Sequence, residues 1–415
     1  MLFRSLMDKH ATVVDDLALG TFPGPPITVE WKKPSEGYSP SRVRCARPLS
    51  AHVLEPAKKC LRELEDMGVI KKVTVHESLE QVSRVMFLPK KFGTTDRQLI
   101  IDLKKVNSNV KCPPSNYAFP AVHDALQAIP HGSKWFIKID FNNAFYTQKV
   151  SEETSKHFGF VTDSRLGSSL WRYLRLPQGF CISPWIYSQQ LAACLSDLNI
   201  NIVTLVDDAL LYAETFERLM EDFQKFLERC HEMNLRISRK KCQMSRNVEF
   251  LGYRVNEHGC FPSEKRLQAV QNFSSPTNLK QLRSFLGLAN QFFSFVPELQ
   301  EQTKILRELL QKNVRFAWLD VHEKCFQNIK ALLCSNLVVG HFNHSKPSYV
   351  FTDASREAIS FVFLQKDEEG NWRLIEAASK TLAPNQKNWS VSEIELLDRK
   401  STRLNSSHVA LSRMP

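Results

Sequence analysis

The 415-residue chain is 43% hydrophobic and 24% charged, so it is globular and long enough for about two to four domains. Lysine plus arginine total 55 against 44 acids, a formal charge of +11 that suits a polyanionic partner without naming one. No apolar run approaches the roughly 20 residues of a membrane span, and ten scattered cysteines with no C-x-x-C pair argue against a zinc site or a disulfide framework and fit a reducing, intracellular setting.

Residues 1–43 read as an arm, with a short helical stretch from Leu2 to Leu17 and a turn region rich in glycine and proline from Gly20 to Pro26. Charges interrupt Met1 to Lys9 too early for a signal peptide. Leu54, Ala57, Leu61, Leu64 and Met67 recur at helical spacing over 51–69, and Gly68 marks the end. Residues 83–89 and 97–103 read as strands around a turn at Gly93. A short helix is expected over 120–129 and an apolar strand over 134–140, ending in Asp140. A helix over 183–196 opens at Ser183 and Pro184, an N-cap and N1 pair. Residues 201–212 read as strand, acid pair, strand. The stretch 214–234 reads as an amphipathic helix with Phe216, Leu219, Phe223, Phe226 and Leu227 on one face. Val248 to Val255 is strand-like, a turn falls at Glu257 to Gly259, and helical patterns dominate 263–336. A strand pair follows around 348–353 and 359–365. The mixture lacks βαβ alternation, so the fold class is α+β.

The acids carry the chemistry. Asp207 and Asp208 lie side by side in an otherwise apolar hairpin, and Asp140 ends another apolar strand. Partly buried carboxylates need neutralising. If the strands are neighbours, three oxygen donors converge, which suits two Mg²⁺ ions and in-line phosphoryl or nucleotidyl transfer. The plainer alternative is a surface turn at Asp207 and Asp208 and a helix cap at Asp140. The flanking strands bring the two readings level.

From about residue 45 to 397, an ordered set of motifs resembles the reverse transcriptase of gypsy-type LTR retrotransposons and related retroviruses. Ile139, Asp140 and Phe145 resemble the first catalytic block. Leu176, Pro177, Gln178, Gly179 and Phe180, then Ser183 and Pro184, resemble the L-P-Q-G-F…S-P block. Leu205, Val206, Asp207 and Asp208 resemble Y-x-D-D, and Phe250 to Tyr253 the block after it. Phe285 to Leu288 and Phe316 to Trp318 resemble the thumb and connection, and Thr352 to Ser355 the opening of an RNase H domain.

The resemblance implies a right-hand polymerase: an arm at 1–43, fingers and palm at 44–256, thumb and connection at 257–345, and a truncated RNase H-like domain at 346–397. It implies an RNA-directed DNA polymerase in which Asp140, Asp207 and Asp208 hold two Mg²⁺ ions, with Mn²⁺ as a substitute. Phe145 would exclude a 2′-hydroxyl, and Gln178 would contact nucleotide and template. Lys90, Lys91 and Arg97 would meet the triphosphate, and Phe250, Leu251, Gly252 and Tyr253 would grip the primer. The implied partners are an RNA template, a DNA primer, their RNA–DNA hybrid and dNTPs, with no membrane. A protease upstream and an integrase downstream are expected in the same polyprotein, in cytoplasm or virus-like particles. The cluster Arg239, Lys240 and Lys241 has no interleaved aromatic and reads as a solvated loop.

Departures from the family pattern support a rival reading, a decayed element that binds nucleic acid without polymerising. Leu205 replaces the usual tyrosine. Gln98 stands where an arginine is usual, with Arg97 one place earlier, and a one-residue slip in a strand reverses the face unless a bulge restores it. The thumb motif continues Gln291, Phe292, Phe293, Ser294 without the usual arginine. Asp353 and Glu395 match only two acids of an RNase H site, so no RNase H activity is expected. Asp398 to His408 resembles a translated sequencing adaptor, so 398–415 is expected to be foreign. Without that tail the formal charge is +8.

Overall fold

A computed structural model describes the chain except for residues 1, 75, 91–93, 112–121, 297–298, 313, 336, 355–357, 384, 387–388, 391–392 and 394–415. The turn at Gly93, Lys91, Ser355, Glu395 and the tail 398–415 therefore lie outside the described residues. The elements in chain order are α1 (Leu2–Lys9), α2 (Ala51–Asp66), β1 (Ile70–Lys72), β2 (Val82–Pro89), β3 (Arg97–Ile101), α3 (Lys104–Ser108), α4 (Val122–Gln127), β4 (Trp135–Asp140), α5 (Glu152–Ser155), β5 (Gly159–Val161), β6 (Leu170–Tyr173), α6 (Ser183–Leu195), β7 (Ile202–Leu205), β8 (Asp208–Ala213) and α7 (Phe216–Glu232). Then follow β9 (Gln243–Ser245), β10 (Val248–Phe250), β11 (Tyr253–Asn256), β12 (Gly259–Pro262), α8 (Glu264–Gln271), α9 (Leu279–Ala289), α10 (Leu299–Gln302), α11 (Lys304–Glu308), α12 (Asp320–Leu333), β13 (Ser348–Ala354), β14 (Ala358–Lys366) and β15 (Trp372–Thr381). Among the described residues no helix is long and apolar enough to cross a membrane.

The chain divides into two compact units: residues 1–120, 138–211 and 220–243, and residues 121–137, 212–219 and 244–415. The first holds a five-stranded sheet in the order β1-β6-β5-β2-β3. The α2 helix packs Ala57, Cys60, Leu61 and Leu64 against it, as the helical spacing requires. Gly68 follows at φ +64°, a left-handed position that releases the chain into β1 at no steric cost. A four-stranded sheet in the order β7-β8-β4-β9 carries the acids. The buried stripe of α7 is Leu219, Met220, Phe223, Phe226, Leu227 and Cys230.

The second unit holds the antiparallel sheet β10-β11-β12, the helices α8 to α12 and the antiparallel sheet β13-β14-β15. Its helical core centres on Phe285 and Phe326, whose ring centroids lie 4.5 Å apart. The strand pair expected near 348–365 has a third member, β15, that the sequence reading lacked. Phe363 pairs with Glu376 but Leu364 with Leu374, so Ile375 is an extra residue in β15; Ile375, Glu376 and Ala377 are buried consecutively and the two-residue alternation is lost.

Two further local expectations change. The first helix ends at Lys9 instead of Leu17, because Val13 and Val14 are drawn into the core and Val14 bridges Ile237. The arm is therefore part of the first unit's packing. In α6 the N-cap position belongs to Ile182, so Ser183 and Pro184 are the first two helical residues. The Ser183 hydroxyl instead donates to the Pro177 carbonyl at 3.1 Å.

A buried polar cluster ties the arm to the sheet. His157 stacks on Trp31 at 3.9 Å, and its Nδ1 accepts from Gln81 Nε2 at 3.1 Å, while Gln81 Oε1 accepts from Asn109 at 2.8 Å. Burial pushes the imidazole down to about 4 from its ordinary 6.5. The unfolded chain thus binds this proton more readily than the folded one. The group contributes stability above pH 6.5 that is lost as pH falls toward 4. His157→Gln is expected to flatten the fall in Tm between pH 6.5 and 4 by a few degrees. Thermal melts across that window check it, and a slope equal to the parent's would refute it.

Candidate active site

Backbone geometry brings the acids together. β4 delivers Asp140 at its C-terminal end, after Phe136, Ile137 and Ile139 have entered the core with no exposure. In the β7–β8 hairpin Leu205 pairs with Asp208, so the turn is only Val206 and Asp207. β8 lies beside β4, and the Phe141 amide donates to the Asp207 carbonyl at 3.2 Å. The strand end and the hairpin turn thus meet at one end of one sheet. Val206 takes φ +56°. Such a turn suits a hairpin, yet for a β-branched residue it stores strain of about 1–3 kcal/mol.

The electrostatics show the crowding. Asp208 is held above the ordinary carboxylate range, first by burial; Asp207 and Asp140 push the same way, and Lys138 and Lys241 oppose them. Lys241 Nζ donates to both carboxylate oxygens of Asp140, at 2.9 and 3.1 Å. Residues 239–241 form an exposed loop between α7 and β9, as read from the sequence, and the structure adds ion pairs to it. Arg239 pairs with Asp8, Lys240 stands 3.9 Å from Asp16, and Lys241 serves the site itself. Lys138 was legible in principle, since it lies two residues before Asp140 on the same face of β4. Nothing local could reveal Lys241.

Among the described residues no three His, Cys, Asp or Glu side chains form a ready metal-ligand set. The donors nevertheless fit hard divalent cations. Mg²⁺ takes one or two protein carboxylates and completes its shell with water and substrate phosphates, so it needs no all-protein cage. Asp140, Asp207 and Asp208 supply carboxylates of that kind.

Phe145 lies in a 3₁₀ turn (Ala144–Thr147) entered through Asn143 at φ +50°. Its ring meets Tyr187 edge-on, with centroids 6.1 Å apart, and Tyr187 also supports Phe141 at 6.1 Å. Tyr187 is wholly buried on α6 and was not singled out from the sequence. Gln178 is exposed and its Oε1 accepts from Gln98 Nε2 at 2.8 Å. The loop that carries Gln178 is held by Asn107, which donates to the Gly179 carbonyl at 3.0 Å and accepts from the Cys181 amide at 3.0 Å. The β2–β3 ladder runs without a register shift, pairing Leu88 with Gln98 and Pro89 with Arg97. No bulge restores Arg97: it shares a face with Leu99 and Ile101, and Gln98 is the residue that meets Gln178. Lys90 lies 3.9 Å from Glu63 on α2.

In the second unit, Phe250 pairs with Tyr253 across a two-residue turn, with Leu251 at φ +53° and Gly252 at φ +78°. Arg266 lies over the Tyr253 ring at 4.1 Å and donates to the Leu251 carbonyl at 3.2 Å. At φ +78° the Gly252 position favours glycine, and a Cβ there would also displace the guanidinium, which it would approach to 2.6 Å. Phe250 is wholly buried and Tyr253 stacks on Phe295, which leaves Leu251 and Gly252 at the tip. Asp353 lies on β13 opposite Ser360; its side chain, like the whole of Glu395, lies outside the described residues.

Residues 88–255 match the reverse transcriptase (RNA-dependent DNA polymerase) family, and residues 318–402 match the RNase H-like domain found in reverse transcriptase. The Tf2-7 and Tf2-3 transposon polyproteins of Schizosaccharomyces pombe are each 30% identical to the chain over 353 residues, which is 84% of the chain. The chain spans only 26% of those polyproteins. The foamy viral protease-reverse transcriptase in complex with an RNA/DNA hybrid has a similar fold (TM-score 0.78, 21% identity, 97% of this chain and 52% of that one). The same protein in complex with dsDNA gives a TM-score of 0.79 at 20% identity, over 97% of this chain and 81% of that one.

Proposed function

The chain belongs to the reverse transcriptase and RNase H-like regions of LTR-retrotransposon polyproteins, and we propose that it is an RNA-directed DNA polymerase that adds dNTPs to a primer 3′-hydroxyl. The observation that carries this reading is Asp140 at the end of β4 beside the Asp207–Asp208 turn. RNA template, DNA primer and their hybrid are the proposed partners, supported by the nucleic acids bound to the foamy viral structures. The proposed layout is fingers and palm over 44–256 and thumb and connection over 257–345.

Asp140, Asp207 and Asp208 would hold two Mg²⁺ ions, or Mn²⁺, which when bound would stabilise the attacking and departing oxygens of an in-line displacement. Everything else falls to the chain. Lys138 offsets the negative charge of the acids. Phe145, seated on Tyr187, offers a rigid ring to the incoming sugar. Gln178 and Gln98 present neutral amides to the nucleotide.

Primer extension on poly(rA) with Mg²⁺ and dTTP tests the proposal. Extension supports the polymerase. Its absence, from folded protein that binds the hybrid, would favour the decayed, binding-only element.

Gln98 yields a second expectation. It points at Gln178, where an arginine would bring a charged fork to the triphosphate. Gln98→Arg is expected to lower the KM for dTTP by about three- to tenfold with little change in kcat. Steady-state kinetics decide it, and an unchanged KM would mean that this face does not reach the phosphates.

A further inference from the structure

We propose that Lys241 is a built-in counter-ion of the site: it holds Asp140 while no metal is bound and must release it when a divalent cation arrives, so the lysine sets the site's metal affinity. The inference rests on the function proposed above.

The geometry is one of competition. Lys241 Nζ reaches both Asp140 oxygens, at 2.9 and 3.1 Å, and so occupies the lone pairs a metal would use. The partners differ in freedom. The Asp140 side chain is 18% exposed and sits on a core strand, whereas that of Lys241 is 65% exposed on a flexible four-carbon stem. When a harder cation takes the carboxylate, the amine has water to go to and the carboxylate does not.

The backbone around Lys241 is stapled, so only its side chain needs to move. The Ser238 amide donates to the Asp140 carbonyl at 2.9 Å, and the Asn142 amide to the Arg236 carbonyl at 2.9 Å. From the other side the Ile237 amide donates to the Val13 carbonyl at 3.0 Å, and Ser238 Oγ donates to Asp16 at 2.7 Å. Arg239 pairs with Asp8. Cys242 is buried, and its amide donates to the Ser238 carbonyl at 3.0 Å. The segment is thus clamped between the arm and the residues that follow Asp140. Charge points the same way: three carboxylates crowd one sheet end, and Lys138 and Lys241 both act on Asp208.

The probe is Mn²⁺, titrated into the full chain and into Lys241→Met, Lys241→Arg and Asp140→Asn, with free Mn²⁺ read by electron paramagnetic resonance. Lys241→Met is expected to bind Mn²⁺ more tightly, by up to about fivefold, the range of a partly exposed ion pair. Lys241→Arg, which can still bridge the carboxylate, is expected to show no such gain. Melts in EDTA and in Mn²⁺ give a second readout: Lys241→Met is expected to show a larger Mn²⁺-induced rise in Tm than the parent. If Lys241→Met binds Mn²⁺ equally or more weakly while the parent site depends on Asp140, the lysine does not compete and this inference fails alone. If the parent has no saturable Mn²⁺ site, or one indifferent to Asp140→Asn, the metal centre proposed above fails and takes this inference with it.

Discussion

Asp207→Asn is expected to reduce primer extension on poly(rA) by about a thousandfold or more, because the site would hold less well the divalent cations that offset charge developing at the reacting phosphate. Single-turnover extension by parent and variant at equal protein and Mg²⁺ measures it. A variant that extends within tenfold of the parent would remove Asp207 from the centre. Asp208→Asn is expected to be as damaging to extension yet to stabilise the fold at neutral pH. Its folded-state pKa is raised above the unfolded 3.8, chiefly by burial. A group of that kind contributes favourably below pH 3.8, and the contribution is lost as pH rises through the raised value. At pH 7 the folded protein therefore carries an ionised carboxylate that it holds less readily than the unfolded chain does. Asparagine removes that burden. Asp208→Asn should melt above the parent at pH 7, with the gap narrowing at acid pH. A lower Tm at pH 7 would contradict the electrostatic account while leaving the kinetic one standing.

Phe145→Ala is expected to raise use of UTP relative to dTTP by about a hundredfold, the scale on which a shaped pocket separates substrates differing by one hydroxyl. The ring can exclude the hydroxyl only if it cannot retreat, and here it is backed by the buried ring of Tyr187 and carried in a tight turn five residues after Asp140. The ratio of kcat/KM for the two nucleotides is the measurement. If the ratio stays fixed while Tm drops, Phe145 is ordinary packing and the selecting group lies elsewhere.

The residues that matter were visible to different depths. Asp140, Asp207 and Asp208 could be read from the sequence because each interrupts an apolar strand pattern, and an acid there is costly unless something uses it. The structure adds that β4 and β8 are neighbours and that Val206 carries the strain of the turn, with no glycine or asparagine to announce it. Between Gln98 and Arg97 the sequence left two outcomes open, and the regular β2–β3 ladder chose Gln98. Phe250 to Tyr253 fall in a stretch read from the sequence as strand-like, and the structure breaks it with a turn whose tip is Leu251 and Gly252, while Phe250 faces the core.

What the sequence determined by itself was local and periodic: the apolar strands that deliver the acids, the stripe of α7, the face of α2 and the order of the motifs. Repeats of two and of 3.6 residues are written into neighbouring positions, so they survive without knowledge of the fold. Only the tertiary structure decided the pairings across long stretches of chain. Lys241 reaches Asp140 over 101 residues and Gln98 reaches Gln178 over 80. The arm abandons its helix at Lys9 because Val13 and Val14 gain more from burial beside Ile237 than from another helical turn. β15 escaped notice because a bulge within it, at Ile375, broke the alternation that reveals a strand. In each case the deciding energy is a contact or register between distant segments, and a sequence read position by position carries no signal for it.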